Sequence, residues 1–258
     1  MAQDSLAPVV TKIFLLFLFS KALIEAWLDM KNRGHILAHS DEVPDKFKDQ
    51  ITLEDHQKAA DYSIAKIKTS KFFKAIDLIV MLIWTLGGGL ESLNMIVVKF
   101  SLSPITHGVV FFALFGLISM LLGLPQSIYT TFVVEEKYGF NKTTPKIFVT
   151  DMVKGLILGS IIGLPIVAGI LWIMQALGDI WWVYGWAFLT IIQFFLIWLY
   201  PTVIAPMFNK FSPLEDGEVK DRVLSLLERT GFQSKGLFVM DASMRSAHGN
   251  AYFTGLRF

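Results

Sequence analysis

Long apolar stretches alternate with polar segments along the chain, and this pattern dominates the sequence. Five stretches have about the 20 apolar residues that a helix needs to cross the hydrocarbon core of a bilayer. They cover residues 9–27, 72–98, 105–124, 151–177 and 180–205. Tryptophan and tyrosine residues stand at both ends of the fifth stretch, as is typical of membrane–water interfaces. The pattern therefore predicts an all-α polytopic membrane protein with about five transmembrane helices.

Two of these stretches carry features that bear on packing. Residues 72–98 form a stretch long enough to tilt or to project beyond the bilayer. The fourth stretch contains Gly155, Gly159 and Gly163, a spacing that lets a second helix approach the backbone closely. The alternative is that these glycines face lipid without close packing.

The polar segments contain helix signals of their own. Thr52 followed by Asp55 resembles a capping box, so residues 31–71 are predicted to be mostly helical. Thr144 followed by Pro145 is typical of an N-cap and a first helical residue. This pair predicts the start of the fourth membrane helix.

The tail after residue 205 differs from the rest of the chain. Residues 216–230 have the pattern of an amphipathic helix that ends at Gly231. Its predicted buried positions are Val219, Val223, Leu226 and Leu227. Residues 236–240 and 249–254 are predicted strands. Because a helix and two short strands cannot bury a stable core alone, the strands pack on the membrane helices or a partner is missing.

Composition agrees with a membrane protein and excludes several functions. The chain is 53% hydrophobic and 17% charged, whereas soluble domains have about 25% charged residues. A net charge of +1 without a basic stripe excludes nucleic acid as a partner. The absence of cysteine excludes disulfides and thiolate chemistry. Lys21 and Glu25 interrupt the first stretch and no cleavage motif follows, which predicts a retained span rather than a signal peptide.

Positive charge sets the expected orientation in the membrane. Residues 31–71, 126–149 and 206–258 contain eight, three and seven Lys or Arg residues, and five spans place these segments on one side. Only Lys99 lies between the second and third spans. Because Lys and Arg stay cytoplasmic, the C-terminal tail is predicted to be cytoplasmic and the N-terminus non-cytoplasmic.

Histidine and intramembrane charges are the first places to look for chemistry. His35 and His39 are four residues apart, which suits either a metal-binding pair on a helix or a solvated loop. Charged residues in or beside the spans are Lys21, Glu25, Lys74, Asp77, Glu91, Asp151 and Lys154. The first four are spaced as local ion pairs, Lys21 with Glu25 and Lys74 with Asp77. Glu91 has no local partner and suits a water-filled interior, while the last two suit snorkelling at a span end.

Three blocks of sequence resemble the type I CAAX prenyl proteases, a family of integral-membrane zinc metallopeptidases. They are YTTFVVEEKYGFNKTTPKIFVTDMVKG (129–155), YPTVIAPMFNKFSPLEDGEV (200–219) and FVMDASMRSAHGNAYFTGL (238–256). The resemblance implies a seven-span enzyme that encloses a water-filled chamber, with a zincin-like site whose H-E-x-x-H lies on the sixth span. That motif does not occur in this sequence.

The resemblance therefore implies that this chain is the N-terminal part of a longer enzyme. Residues 1–205 would form the transmembrane region with the cytoplasmic loop 31–71, and residues 206–258 would begin a cytoplasmic zincin-like catalytic domain. Zinc is expected in the full-length enzyme and not in this chain alone, which is expected to be inactive. The expected partners are membrane lipid, a prenylated or membrane-delivered peptide, and the missing C-terminal catalytic half.

The resemblance also assigns expected roles to individual residues. The positions matching the family's substrate-binding edge strand are Asn250, Ala251, Tyr252 and Phe253. His248 precedes them and either donates to the oxyanion or a substrate carbonyl, or is a packing histidine. The positions matching a structural loop that braces the site are Glu135, Glu136, Asn141 and Lys142. The competing hypothesis is a non-catalytic polytopic protein, that is, a transporter, channel or assembly factor, for which Glu91 and the spaced glycines would suit a substrate pathway.

Overall fold

The computed structural model describes residues 2–234 and 236–253, and most of this part is helical. In chain order the α-helices are α1 (Ala2–Ala38), α2 (Leu53–Thr85), α3 (Gly89–Val98), α4 (Pro104–Tyr129), α5 (Pro145–Ala176), α6 (Trp181–Leu199), α7 (Ala205–Phe208) and α8 (Glu218–Thr230). Two strands, β1 (Phe211–Pro213) and β2 (Phe238–Met240), pair antiparallel. Single π-helical turns follow α4 and α6, at Thr130–Glu135 and Tyr200–Ile204.

The helices confirm the prediction of about five membrane spans. Four helical stretches are long and apolar enough to cross a bilayer by themselves. They are Ala7–Ala38, Pro104–Glu135, Pro145–Ala176 and Gly178–Phe208. The fifth is the bent pair of α2 and α3, which meet at an angle of 50°. Two helix starts follow the predicted caps, since the Thr52 hydroxyl accepts from the Asp55 N–H at 3.1 Å and the Thr144 hydroxyl from the Ile147 N–H at 3.3 Å.

The break between α2 and α3 corrects the prediction of one continuous span over residues 72–98. Gly88 has a φ of 77°, a left-handed conformation that side-chain-bearing residues disfavour. A Cβ at Gly87 would come within 2.9 Å of the Ile83 backbone. The three successive glycines thus permit a sharp turn that the hydropathy of the stretch conceals.

Replacing Gly88 with alanine is expected to destabilise the protein by about 1 kcal/mol, because the left-handed conformation costs an L-residue roughly that much. Gly34 provides the control, since it lies within α1 and a Cβ there would meet nothing within 4 Å. Gly34→Ala should instead stabilise by about 0.5–1 kcal/mol through helix propensity. Unfolding in detergent measures both. Shifts of the same sign and size would contradict the strained turn at Gly88.

The described chain divides into two compact units, of which the first combines Met1–Lys99 with Ser119–Tyr138. Within it, Lys74 Nζ lies 3.0 Å from Asp29 Oδ2, so α1 and α2 share an ion pair. The predicted pair of Lys74 with Asp77 is therefore wrong, because the packed neighbouring helix offers Lys74 the closer carboxylate. The predicted pair of Lys21 with Glu25 is confirmed at 3.7 Å.

The second unit combines Phe100–Ile118 with Gly139–Phe258. Here α5 and α6 approach closely at Gly169, where a Cβ would lie 2.8 Å from the Phe188 ring. The predicted glycine ladder behaves differently, since a Cβ at Gly155, Gly159 or Gly163 would meet nothing within 4 Å. Close packing at the ladder is thus not found among the described residues, and the alternative of an open glycine face describes it.

Few side chains are buried, as expected where lipid rather than water surrounds the helices. The buried apolar residues among those described are Val43, Ala60, Phe73, Leu93, Val97, Val134, Ile173 and Ala205. Large apolar side chains such as Trp186 and Ile191 are instead more than 65% exposed. Exposed apolar surface on this scale marks contact with a membrane or with other protein.

The tail only partly matches its prediction. Helix α8 ends at Gly231 in the left-handed conformation, as expected, but Val219 and Leu226 are 67% and 54% exposed rather than buried. The paired strands β1 and β2 leave Val219 and Leu226 uncovered. A cavity of about 700 Å³ lies between this strand pair and α8, where Leu224 and Leu227 line it. Strand β2 confirms the predicted strand at residues 236–240 in part.

The predicted strand at residues 249–254 is wrong for the part that the structure describes. Residues 249–253 have no strand assignment, because no neighbouring strand among the described residues pairs with them. Thr254 lies outside the described residues. Strand β1 was not predicted, since its three residues include Pro213 and are too few to show an alternating pattern.

Candidate functional site

Two stretches of the second unit that resemble separate family motifs meet in the structure. We call residues 139–144 the GFN loop and residues 241–253 the tail segment. Asn141 of the loop and Ser246 of the tail segment form an antiparallel β-bridge. The chain thus joins motifs that are about one hundred residues apart in sequence.

Asn141 shapes the GFN loop, and the loop in turn holds the tail segment. The Thr143 N–H donates to Asn141 Oδ1 at 2.8 Å, which closes an Asx turn. The Arg245 carbonyl then accepts two hydrogen bonds from the loop, one from the Lys142 N–H at 3.1 Å and one from the Thr143 hydroxyl at 3.0 Å. Lys142 therefore contributes to this contact through its backbone.

His248 is held against the same loop. Its ring stacks on the Phe140 ring, with centroids 4.1 Å apart and planes 16° from parallel. The Ala247 N–H donates to the Phe140 carbonyl at 2.9 Å, and the His248 N–H donates to the Ser246 hydroxyl at 3.1 Å. The imidazole thus has a fixed plane at the point where the tail segment leaves the loop.

The residues that follow His248 are exposed. Phe253 is 84% exposed and Tyr252 52% exposed. Their ring contacts are light, since Phe253 meets the edge of Phe232 at 5.6 Å and the Tyr252 hydroxyl lies 3.8 Å from Met240 Sδ. Asn250 Oδ1 accepts the Ala251 N–H at 2.8 Å. Within residues 249–253 no backbone group makes a backbone hydrogen bond to another described residue.

Arg245 connects the tail segment to the membrane helices. Its Nε donates to Asp151 Oδ2 at 2.6 Å and its Nη2 to Asp151 Oδ1 at 3.0 Å, which makes a bidentate ion pair with α5. Its Nη1 donates to Asn209 Oδ1 at 3.0 Å. Hydrogen bonding to Asp151 raises the pKa of the Arg245 guanidinium, so this side chain stays cationic at every accessible pH.

Lys154 makes a second contact on the same face of α5. Its Nζ donates to the Met207 carbonyl at 2.9 Å, at the end of α7. Asp151 and Lys154 thus both contact the part of the chain that follows residue 205. Sequence reasoning missed Arg245 and Asn209 altogether. Nothing in their spacing indicates that they share a partner with α5.

The two glutamates of the predicted structural loop lie in the first unit. Glu135 ends the π-helical turn after α4, and its Oε1 accepts from the Tyr62 hydroxyl of α2 at 2.7 Å. Glu136 follows it directly. The predicted set of four loop residues is thus divided between the units, since Asn141 and Lys142 belong to the second.

The histidine pair lies at the C-terminal end of α1, which continues past the predicted first span. The His35 and His39 rings are 4.2 Å apart. His39 Nδ1 contacts the His35 carbonyl and His56 Nε2 contacts the His39 carbonyl, both at 2.8 Å. Both contacts are to carbonyls at the end of a helix. Among the described residues no group of three or more His, Cys, Asp or Glu side chains could hold a metal ion.

The fold and the site define the class of protein. It is a multi-pass helical membrane protein in which a loop between spans is paired with a tail of short strands and one helix. A family model described as CAAX prenyl protease N-terminal, five membrane helices, matches residues 32–210. The chain belongs to the CAAX prenyl protease family. The resemblance of its three sequence blocks is thereby confirmed, and the non-catalytic alternative is not favoured.

Individual relatives agree with the family model. The chain is 40% identical over 227 residues to CAAX prenyl protease 1 of Saccharomyces cerevisiae, which covers 84% of this chain and 50% of that protein. It is 33% identical over 268 residues to the CAAX prenyl protease 1 homolog of Oryza sativa subsp. japonica, covering 99% and 60%. The crystal structure of S. mikatae Ste24p matches with a TM-score of 0.84 at 36% identity, covering 94% of this chain and 57% of that one.

The chain spans about half the length of the yeast relative, 50%. The family is one of zinc metalloproteases, but the residues present here do not fit a zinc site. The sequence has no H-E-x-x-H, and the described part has no cluster of three suitable ligands.

Proposed function

We propose that this chain forms the transmembrane region and the substrate-aligning segment of a membrane metalloendopeptidase. The whole enzyme would cleave peptides near the C-terminus, the peptides being prenylated or otherwise delivered by the membrane. One observation carries this proposal: the GFN loop and Arg245 fix the start of the tail segment, while residues 249–253 are exposed and make no backbone–backbone hydrogen bond to another described residue. Membership of the CAAX prenyl protease family supports it.

An extended substrate would add to Asn250, Ala251, Tyr252 and Phe253 as a neighbouring strand. Strand addition uses main-chain hydrogen bonds for affinity, so backbone groups without a main-chain partner are suited to receive the substrate. The conformation of residues 249–253 need not yet be that of a strand, because the substrate would supply the partner. The function of these residues is therefore to orient the peptide.

His248 would act at the start of this segment. Stacking on Phe140 restrains the ring plane, so a ring nitrogen could donate to a substrate carbonyl without losing much conformational freedom. The same stacking also fits a packing role. Glu135 and Glu136 would brace α2 through the contact of Glu135 with Tyr62.

Residues 1–205 would be the membrane region, with the loop 31–71 and the tail 206–258 in the cytoplasm and the N-terminus outside. The exposed Val219 and Leu226 of α8 would be covered by the C-terminal catalytic half that holds zinc. Without that half we expect residues 1–258 to have no peptidase activity.

A photo-crosslinking experiment tests the proposal. It uses the longest open reading frame that contains residues 1–258, which is called the full-length protein below and is also used in the experiments on catalysis. A photoreactive phenylalanine analogue at Tyr252 is expected to crosslink a prenylated peptide that ends in a CAAX sequence. The same analogue at Phe47, which is 48% exposed in the loop 31–71, should give little product. Equal crosslinking at both positions, or none at Tyr252, would contradict the proposal.

A further inference from the structure

Arg245 contacts three separate parts of the second unit. Its side chain reaches Asp151 with two nitrogens and Asn209 with a third. Its carbonyl accepts from Lys142 and Thr143 of the GFN loop. One residue thus binds α5, the end of the α6–α7 region and the GFN loop together.

The ion pair of Arg245 with Asp151 differs from the other ion pairs of the tail. The side chains of Arg245 and Asp151 are only 27% and 25% exposed, and 94 residues separate them. By contrast, Arg222 and Glu218 pair within one turn of α8 and are 79% and 75% exposed. Exposed pairs of that kind contribute little, whereas a covered, bidentate Arg–carboxylate pair fixes geometry.

The ion pair lies close in sequence to the exposed residues, so it can control their position. Arg245 stands five positions before Asn250, so the intervening backbone spans at most about 17 Å. Between the two, contacts with the GFN loop end at His248. A change in where Arg245 is held would therefore shift residues 250–253 directly.

We propose that Arg245 is a positioning residue that sets the register of the substrate-aligning segment relative to membrane helix α5, with Asp151 and Asn209 as its anchors. This inference rests on the proposed function, since it concerns how residues 250–253 are aimed. Asp151 lies in the second turn of α5, and Lys154 holds Met207 one turn further on. Helix α5 is thus the rigid element against which the tail segment is placed.

The test compares five variants of the full-length protein and reads the cleavage position as well as the rate. Asp151→Asn removes the charge but keeps the shape, and Arg245→Lys keeps the charge but loses the bidentate fork. Asp216→Asn is the matched control, because Asp216 is also ion-paired, with Lys220, but only within the exposed start of α8. Peptide products are identified by mass spectrometry, and unfolding midpoints are measured in detergent.

Asp151→Asn and Arg245→Lys are each expected to raise KM and lower kcat/KM about tenfold or more, and to cut at neighbouring bonds that the wild type leaves intact. The double variant should have a kcat/KM no lower than that of the less active single variant, since both substitutions act through one contact. Asp151→Glu keeps the carboxylate, so it should still cleave mainly at the wild-type bond. Asp216→Asn should match the wild type in all readouts.

Two results would overturn the positioning role. If activity falls only in parallel with the unfolding midpoint and the cleavage position stays unchanged, the pair merely stabilises the fold. If kcat/KM and the cleaved bond both stay unchanged, the ion pair does not position residues 250–253. Either result leaves the proposed function standing, whereas a wild-type protein that does not cleave the peptide would remove both.

Discussion

Replacing Asn250 with alanine in the full-length protein is expected to lower kcat/KM for a prenylated CAAX peptide about 10- to 100-fold, the size of loss that misplacing a reacting group produces. Asn250 Oδ1 accepts the Ala251 N–H at 2.8 Å, so the amide side chain fixes the backbone at the start of the exposed segment. Without it, the segment samples conformations in which a substrate strand cannot pair.

Zinc content separates this effect from a loss of folding. Because the residues described here do not fit a zinc site, Asn250→Ala should leave zinc bound at the wild-type ratio while activity falls. Asn32→Ala on the exposed C-terminal half of α1 is the matched control and should change neither quantity. Parallel loss of zinc and activity in Asn250→Ala would contradict an aligning role and indicate a structural one.

Much of the membrane architecture can be predicted from the sequence because its causes are local. A run of about 20 apolar residues has few alternatives to a spanning helix, and the caps at Thr52 and Thr144 depend on neighbours three residues away. The break at Gly88 was missed because hydropathy averages over a window. The left-handed φ of a single glycine is invisible to that average.

Contacts between distant residues could not be predicted in the same way. Lys74 binds Asp29 rather than Asp77 because α1 packs beside α2, which spacing along one helix does not reveal. The contacts of Arg245 with Asp151 depend on the folded path of the tail. The resemblance assigned Asn141 to a loop that braces the site and His248 to the substrate-binding segment. The structure pairs these two segments through the bridge of Asn141 with Ser246.

The glycine ladder and the tail show a related limit. Gly155, Gly159 and Gly163 have the spacing of a helix contact, yet no described atom occupies the space beside them. Val219 and Leu226 have the spacing of a buried face, yet both are exposed. Periodicity indicates which face is suited to contact, but what covers that face depends on the residues available to pack there.

The central claim is that substrate backbone pairs with residues 250–253, and N-methylation of single amides along the substrate peptide tests it most directly. In a paired strand the N–H groups of alternate residues face the same neighbour. N-methylation at those positions should therefore lower kcat/KM about tenfold, since it removes a hydrogen bond and adds a clash, while methylation at the intervening positions should have little effect. The predicted result is a loss that alternates with a period of two residues over the segment upstream of the cleaved bond. A uniform loss, or no loss at any position, would contradict backbone pairing at this segment.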